Sequence, residues 1–303
     1  DDVNIQGDVI NTATATGGTV NISSTDGLVN LQDLSAAAAD IDNSTTGTIA
    51  GTISVSASGT GAADNVYIEG TINNSSNGTA GTIALSSTNA NVTVDNVLAD
   101  TPAIDNSTSN GQGGVINISS GGSAGSSRVD GTIDNRASSS GGTVAITSAN
   151  NDITIGAASS AVRGDVLNST VVGNGGTVSL VAGDDVSIDG VVDNRSGGNG
   201  GTINIVGVDG SVTVSNNASN LTFAINNSTT SGTGGNINLS ASGAGENVTV
   251  AGSILNRGVI NGGIVAISST DNTVSIVDGG SHTAEIKKNT PTSHGGKRSK
   301  TAP

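Results

Sequence analysis

Apolar and polar residues alternate along this chain in short bursts, and each burst follows a Gly-Gly or Ala-Gly pair. Two and four places after the second glycine stand Val20/Ile22, Ile53/Val55, Ile83/Leu85, Ile116/Ile118, Val144/Ile146, Val178/Leu180, Ile203/Ile205, Ile237/Leu239 and Val265/Ile267. The residues between them are mostly Asn, Ser or Ala. Period-two alternation of this kind predicts a strand with one buried face.

Two further short strands follow in each unit. The second has Val29/Leu31, Val66/Ile68, Val92/Val94, Ile153/Ile155, Val186/Ile188, Val212/Val214, Val248/Val250 and Val274/Ile276 as its inward pair. One unit departs from this, with Ser127 before Val129. The third carries one aliphatic residue and then asparagine: Ile41/Asn43, Ile72/Asn74, Ile104/Asn106, Ile133/Asn135, Val166/Asn168, Val192/Asn194, Ile225/Asn227 and Ile254/Asn256. The last unit has Ile286 followed by Lys288.

The second glycines fall at Gly18, Gly51, Gly81, Gly114, Gly142, Gly176, Gly201, Gly235, Gly263 and Gly296, spaced 33, 30, 33, 28, 34, 25, 34, 28 and 33 residues apart. Long and short units take turns. Three short strands in a unit of this length describe one coil of an all-β, single-stranded, right-handed parallel β-helix of about ten coils. Equivalent strands would stack about 4.8 Å apart and line a narrow tube with aliphatic side chains. The predicted solenoid covers residues 1–286, and residues 287–303 form a basic C-terminal segment. The long units carry excursions at 32–40, 95–103, 156–165 and 215–224, whose apolar content points to lateral packing or a small extra strand.

Charge then separates the ends. All 25 acidic residues lie before Ile286, against five arginines in the same stretch, whereas 287–303 holds Lys287, Lys288, Lys297, Arg298 and Lys300 and no acid. The acidic body excludes nucleic acid as a partner, and no apolar run is long enough to span a bilayer. The chain starts in mid-coil, where Asp1-Asp2-Val3-Asn4-Ile5-Gln6-Gly7 parallels Asp184 to Gly190, and it stops just after Gly296 opens another coil. Joining Pro303 of one copy to Asp1 of the next gives an interval of 25 residues, equal to the short coil from Gly176 to Gly201. The expectation is a head-to-tail homopolymer with Asp1, Asp2, Val3, Ile5, Lys297, Arg298 and Lys300 at the subunit interface. Against its simplest form, Arg298 and Lys300 occupy the two positions that are aliphatic elsewhere. A segment cut from a longer tandem array is the alternative.

The unit Gly-Gly-Thr-Val-x-Leu…Asp-Val-x-Ile-x-Gly-x-Val-x-Asn of residues 175–194 resembles the coils of filamentous-haemagglutinin-like and autotransporter-type parallel β-helix surface proteins. The resemblance implies export and an extracellular or cell-surface role. It supports two functions: the structural subunit of an extracellular filament or matrix fibre, and a β-helical adhesin stalk or passenger fragment that binds a surface ligand.

A polysaccharide-active enzyme is the weaker third reading. Histidine and lysine are absent from the coils before His282, so the acid–base clusters that such enzymes need are missing and the chain reads as a non-enzyme without cofactors. Asp184, Asp185 and Asp189 gather locally in sequence and could ligate Ca²⁺, but read better as solvated carboxylates. Asn43, Asn74, Asn106, Asn168, Asn194 and Asn227 each open an Asn-x-Ser/Thr sequon and are candidate glycan acceptors. The same residues suit a strand corner, the preferred reading. Tyr67, between inward Val66 and Ile68, should face outward, where a lone aromatic packs locally or touches sugar.

Overall fold

The computed structural model describes residues 1–32, 40–61, 63–96, 102–156, 163–216, 223–278 and 285–287, and the backbone of 298–301. Among them the chain forms three ten-stranded sheets in which every pairing is parallel. Each strand pairs with its counterparts in the preceding and following coils, which is the topology of a right-handed parallel β-helix. The predicted excursions fall mostly outside the described residues.

The first sheet runs from Thr19–Ser24 to Arg298–Thr301, the second from Val3–Gln6 to Val274–Val277, and the third from Val9–Ile10 to Ile286–Lys287. Lys287 thus closes a strand rather than opening a tail, and its Nζ lies 2.9 Å from Glu285 Oε2. The first sheet has six-residue strands because three inward positions alternate with three outward ones, as in Thr52–Ala57. The third inward position, Ser24, Ala57, Ser87, Ser120, Ser148, Ala182, Ala241 or Ser269, is buried and small. Where it is serine the hydroxyl usually ties down a turn carbonyl: Ser87 Oγ donates to Asp64 O at 2.8 Å and Ser148 Oγ to Gly125 O at 2.8 Å.

Every aliphatic pair predicted to face inward between Ile53 and Val250 is buried, and together with the end residues these side chains form one continuous cluster. Stacking like on like keeps the tube uniform. Five buried aliphatics in a coil contribute on the order of 7–15 kcal/mol before chain entropy is subtracted. Ser127, the inward exception, is satisfied in place. Its hydroxyl lies 3.0 Å from Ser120 Oγ and donates to Thr147 O at 3.1 Å. A buried hydroxyl with partners costs little, so the coil absorbs the substitution.

The glycine pairs answer to space. A Cβ on Gly142 would stand 2.3 Å from Gly114 O and 2.5 Å from Asn135 Nδ2. The neighbouring coil and the asparagine column together leave room only for hydrogen.

Candidate assembly surfaces

The asparagine column is a hydrogen-bonded spine. Asn11 Nδ2 donates to Asn43 Oδ1 at 2.8 Å, Asn43 to Asn74 at 2.9 Å, Asn74 to Asn106 at 3.1 Å and Asn106 to Asn135 at 3.1 Å. It continues from Asn135 to Asn168 at 2.8 Å, from Asn168 to Asn194 at 2.9 Å and from Asn194 to Asn227 at 3.1 Å. From Asn43 onward each Nδ2 also reaches carbonyls of the glycine corner, as Asn135 does to Gly114 O at 3.1 Å. The spine is polar: every donor points toward the C-terminal end of the rod. Asn256 is fully buried, yet its Oδ1 has no partner. Its coil follows the register irregularity between Phe223 and Ile225.

This geometry bears on the sequon asparagines. Asn43, Asn74, Asn106, Asn168, Asn194 and Asn227 are all 0% exposed. Nδ2, the atom that would carry a sugar, is committed to the corner in each. In the folded coil these six side chains lie buried at the strand corner with Nδ2 hydrogen-bonded.

A second repeating contact caps the turn before the second sheet. Asp2 Oδ1 accepts from Leu28 N at 3.1 Å, Asn65 Oδ1 from Asn91 N at 3.0 Å, Asp152 Oδ1 from Asp185 N at 3.2 Å and Asp185 Oδ1 from Ser211 N at 2.6 Å. Acid and amide alternate in one role, accepting the backbone N–H of the following coil. Asp184 and Asp185 cluster with Asp152 of the preceding coil, and all three are exposed. Asp189 is not among them; it lies past the far end of the Val186–Ile188 strand. The sequence grouping of Asp184, Asp185 and Asp189 is therefore replaced by a trio that spans two coils.

The predicted interface residues divide between the two ends of the described rod. Val3 and Ile5 pair with Val29 and Leu31 and are half-buried against the core. The Asp1 ammonium donates to Asp26 O at 3.1 Å. At the other end Arg298 pairs with Val265 and Lys300 with Ile267, so the backbone continues the first sheet in register. Lys297 lies outside the described residues.

Charge is distributed by face. The outward residues of the first sheet, from Thr19, Asn21 and Ser23 to Ile264, Ala266 and Ser268, include no acid or base. The other two sheets carry acids instead, Glu69, Asp95 and Asp130 on the second and Asp42, Asp105, Asp134 and Asp193 on the third. Asp134 and Asp193 are nearly buried beside Arg136 and Arg195, with Nη2–Oδ2 distances of 2.5 and 2.7 Å. Burial raises the pKa of Asp105 above its ordinary value, and the hydrogen bonds from Ser107 oppose the rise.

The two aromatic residues sit on different faces. Phe223 opens the Phe223–Asn226 strand and packs with Val191, Leu255 and Leu167 outside the third sheet, 6.0 Å below the Arg195 guanidinium. It is covered by its own chain and offers nothing for lateral packing. Tyr67 faces outward on the second sheet, and its hydroxyl donates to Asp95 Oδ2 at 3.1 Å. Its pKa is pushed up to about 12, first by burial and then by Asp95.

No helix among the described residues is long and apolar enough to cross a membrane. Compared with protein-family models, curated proteins and solved structures, the chain matches none. The likeness to filamentous-haemagglutinin-like and autotransporter-type proteins therefore rests on solenoid architecture.

Proposed function

We propose that the chain is the structural subunit of an extracellular filament or matrix fibre, in which copies add head to tail by strand pairing and lie side by side through the first sheet. The observation that carries this reading is the constancy of the cross-section. All three sheets keep their register through ten strands, with one irregularity in the third. A further coil can therefore dock on either end with the bonds that join the coils within, since unpaired strand edges accept another chain's backbone. The asparagine spine gives such growth a direction. The acidic Asp1-Asp2 stretch and the basic Arg298–Lys300 stretch at opposite ends favour the same orientation.

Lateral contact is supported by the neutral face. Two rods as acidic as this one repel each other, and the first sheet is where they meet without facing charges. Nine of its strands, about 4.8 Å apart and six residues of about 3.3 Å each, make a face of roughly 800–900 Å². That is about what one partner contributes to a standard protein–protein interface. Export and a surface location follow from the resemblance of the coil to secreted adhesins.

Light scattering and negative-stain microscopy over a concentration series test the proposal. The expected result is long fibres one coil-width across at low concentration and bundles at higher concentration. Removing residues 287–303 should abolish the fibres. Single short rods at every concentration, or fibres that persist unchanged after the deletion, overturn it.

A further inference from the structure

The second sheet carries a hollow of about 360 Å³ beside Tyr67, lined by side chains from three successive coils. Asn30 and Gln32 come from one coil, Asn65 and Tyr67 from the next, and Asn91 and Thr93 from the third. Asn30, Tyr67 and Thr93 stand in one outward column. The phenol is not free to swing, because its hydroxyl donates to Asp95. The hydroxyl thus anchors the ring across the sheet, and it is the chain's single tyrosine, on a face that also carries Glu69, Asp95, Arg128 and Asp130.

The rim is polar and partly uncommitted. Asn30 Nδ2 is used within the sheet, donating to Asn4 Oδ1 at 3.3 Å and Gln32 Oε1 at 3.2 Å. Asn65 is used as well, bonding Ala63 O and Asn91 N. Asn91 Oδ1 accepts from Ser126 N at 2.8 Å. Among the described residues, however, Gln32 Nε2 and Asn91 Nδ2 donate to no protein group. These open donors lie diagonally across the ring, one coil before and one coil after it and four residues apart along the strand direction, about 16 Å between backbone positions. Asp95 and Glu69 stand alongside as acceptors.

We infer that this hollow is a binding subsite for a neutral pyranose glycan, one sugar ring resting on Tyr67 and the flanking rings of the same oligosaccharide bonded through their hydroxyls to Gln32 on one side and Asn91 on the other. A pyranose has an apolar C–H face and a rim of hydroxyls that both donate and accept, which fits a fixed aromatic plate ringed by amides and carboxylates. Arg128, next in the column after Thr93, is paired with Asp130, so Asp95, Glu69 and the acidic body still disfavour a uronate or sulfated sugar. The hollow is open and shallow and offers no deep apolar pocket for a peptide anchor. The subsite gives the rod an adhesive function that a single copy can perform, so it stands or falls separately from polymerisation.

With no tryptophan in the chain, Tyr67 is its own reporter. Cellohexaose, chitohexaose and hexagalacturonate are titrated into dilute monomeric protein while tyrosine emission is followed, with calorimetry in parallel. A saturable emission change is expected with at least one of the two neutral hexasaccharides and none with hexagalacturonate. By calorimetry Tyr67→Ala should weaken binding tenfold or more. Gln32→Ala and Asn91→Ala should each weaken it about three- to tenfold, as expected for one lost hydrogen bond. Tyr67→Phe, which keeps the plate, should retain most of the affinity. The neighbouring coils carry Asn30 and Thr93 at the same register, so small residues suit position 67, and unchanged circular dichroism verifies folding of the alanine variant. The proposal is overturned if neither neutral sugar binds, if hexagalacturonate binds as well as they do, or if Tyr67→Ala binds as well as the parent.

Discussion

Replacing Asn135 by alanine tests whether the asparagine spine holds the coils together or merely shapes their corners. Asn135 is wholly buried and sits mid-spine. The substitution removes its donation to Asn168 Oδ1 at 2.8 Å and to Gly114 O at 3.1 Å, and the bond it accepts from Asn106 Nδ2 at 3.1 Å. Gly114 O keeps the Thr143 N–H at 2.8 Å, and Asn106 Nδ2 keeps Gly81 O at 3.1 Å. Asn168 Oδ1 keeps nothing. A stranded buried acceptor costs about 1–3 kcal/mol and each of the two other lost bonds about 0.5–1.5 kcal/mol, giving about 2–6 kcal/mol in total. Asn256→Ala is the internal control. Its Nδ2 donates to Gly235 O and Ile264 O, both at 2.8 Å, but its Oδ1 is already unpaired. That substitution strands no spine acceptor and should cost only about 1–2 kcal/mol. A solenoid need not unfold all at once, so amide hydrogen exchange is the assay. Exchange in the Thr143–Ser148 and Thr177–Ala182 strands should quicken by about two to three orders of magnitude in Asn135→Ala. In Asn256→Ala, exchange in the Ile264–Ser269 strand should quicken about tenfold. Equal acceleration in the two variants, or less than tenfold in Asn135→Ala, would refute the spine as a source of stability.

Three further outcomes are expected. Gly142→Ala forces a methyl against Gly114 O and Asn135 Nδ2 and should cost about 3 kcal/mol, read as faster exchange confined to the adjoining coils. Asp105→Asn should stabilise the rod at neutral pH, because burial raises the Asp105 pKa in the folded chain. The gain should shrink as pH falls through that raised value and vanish below the ordinary value of 3.8, where both states hold the proton; melting curves from pH 7 to pH 3 measure it. Asparagine already fills the equivalent site in the preceding coil, where Asn73 Oδ1 accepts from Ser75 N at 3.1 Å. Spectrophotometric titration of the single tyrosine should give a pKa of about 12 in the folded chain and a lower value in Asp95→Asn, with burial still holding it above 10; an unchanged value in that variant would remove Asp95 as a cause.

The aliphatic columns were legible because stacking repeats them: Ile53, Ile83 and Ile116 fall at the same offset from a glycine pair whatever the length of the coil. The outward placement of Tyr67 followed from the same alternation. What escaped the sequence depends on register between coils. Nothing in the chain order joins Gln32 to Asn91, and the hollow exists only once three coils are stacked. Asp152 joins Asp184 and Asp185 for the same reason, whereas Asp189, closer in sequence, is carried away along the strand. The third inward position of the first sheet was also missed, since serine reads as polar. Its hydroxyl meets a turn carbonyl within the tube, so burial at Ser87 and Ser148 carries no penalty. The asparagine corner was readable as a corner, but its donor-to-acceptor direction appears only when side chains of successive turns are seen together.

The unvarying pairing from turn to turn has a genetic corollary. A stretch encoding one long and one short winding is a module whose top matches its own bottom in backbone pairing, so duplicating or excising it would keep the strand register of the windings that remain. Length in such a molecule is a quantity that recombination can adjust in steps of about 10 Å, two windings at a time, without redesigning any part of it.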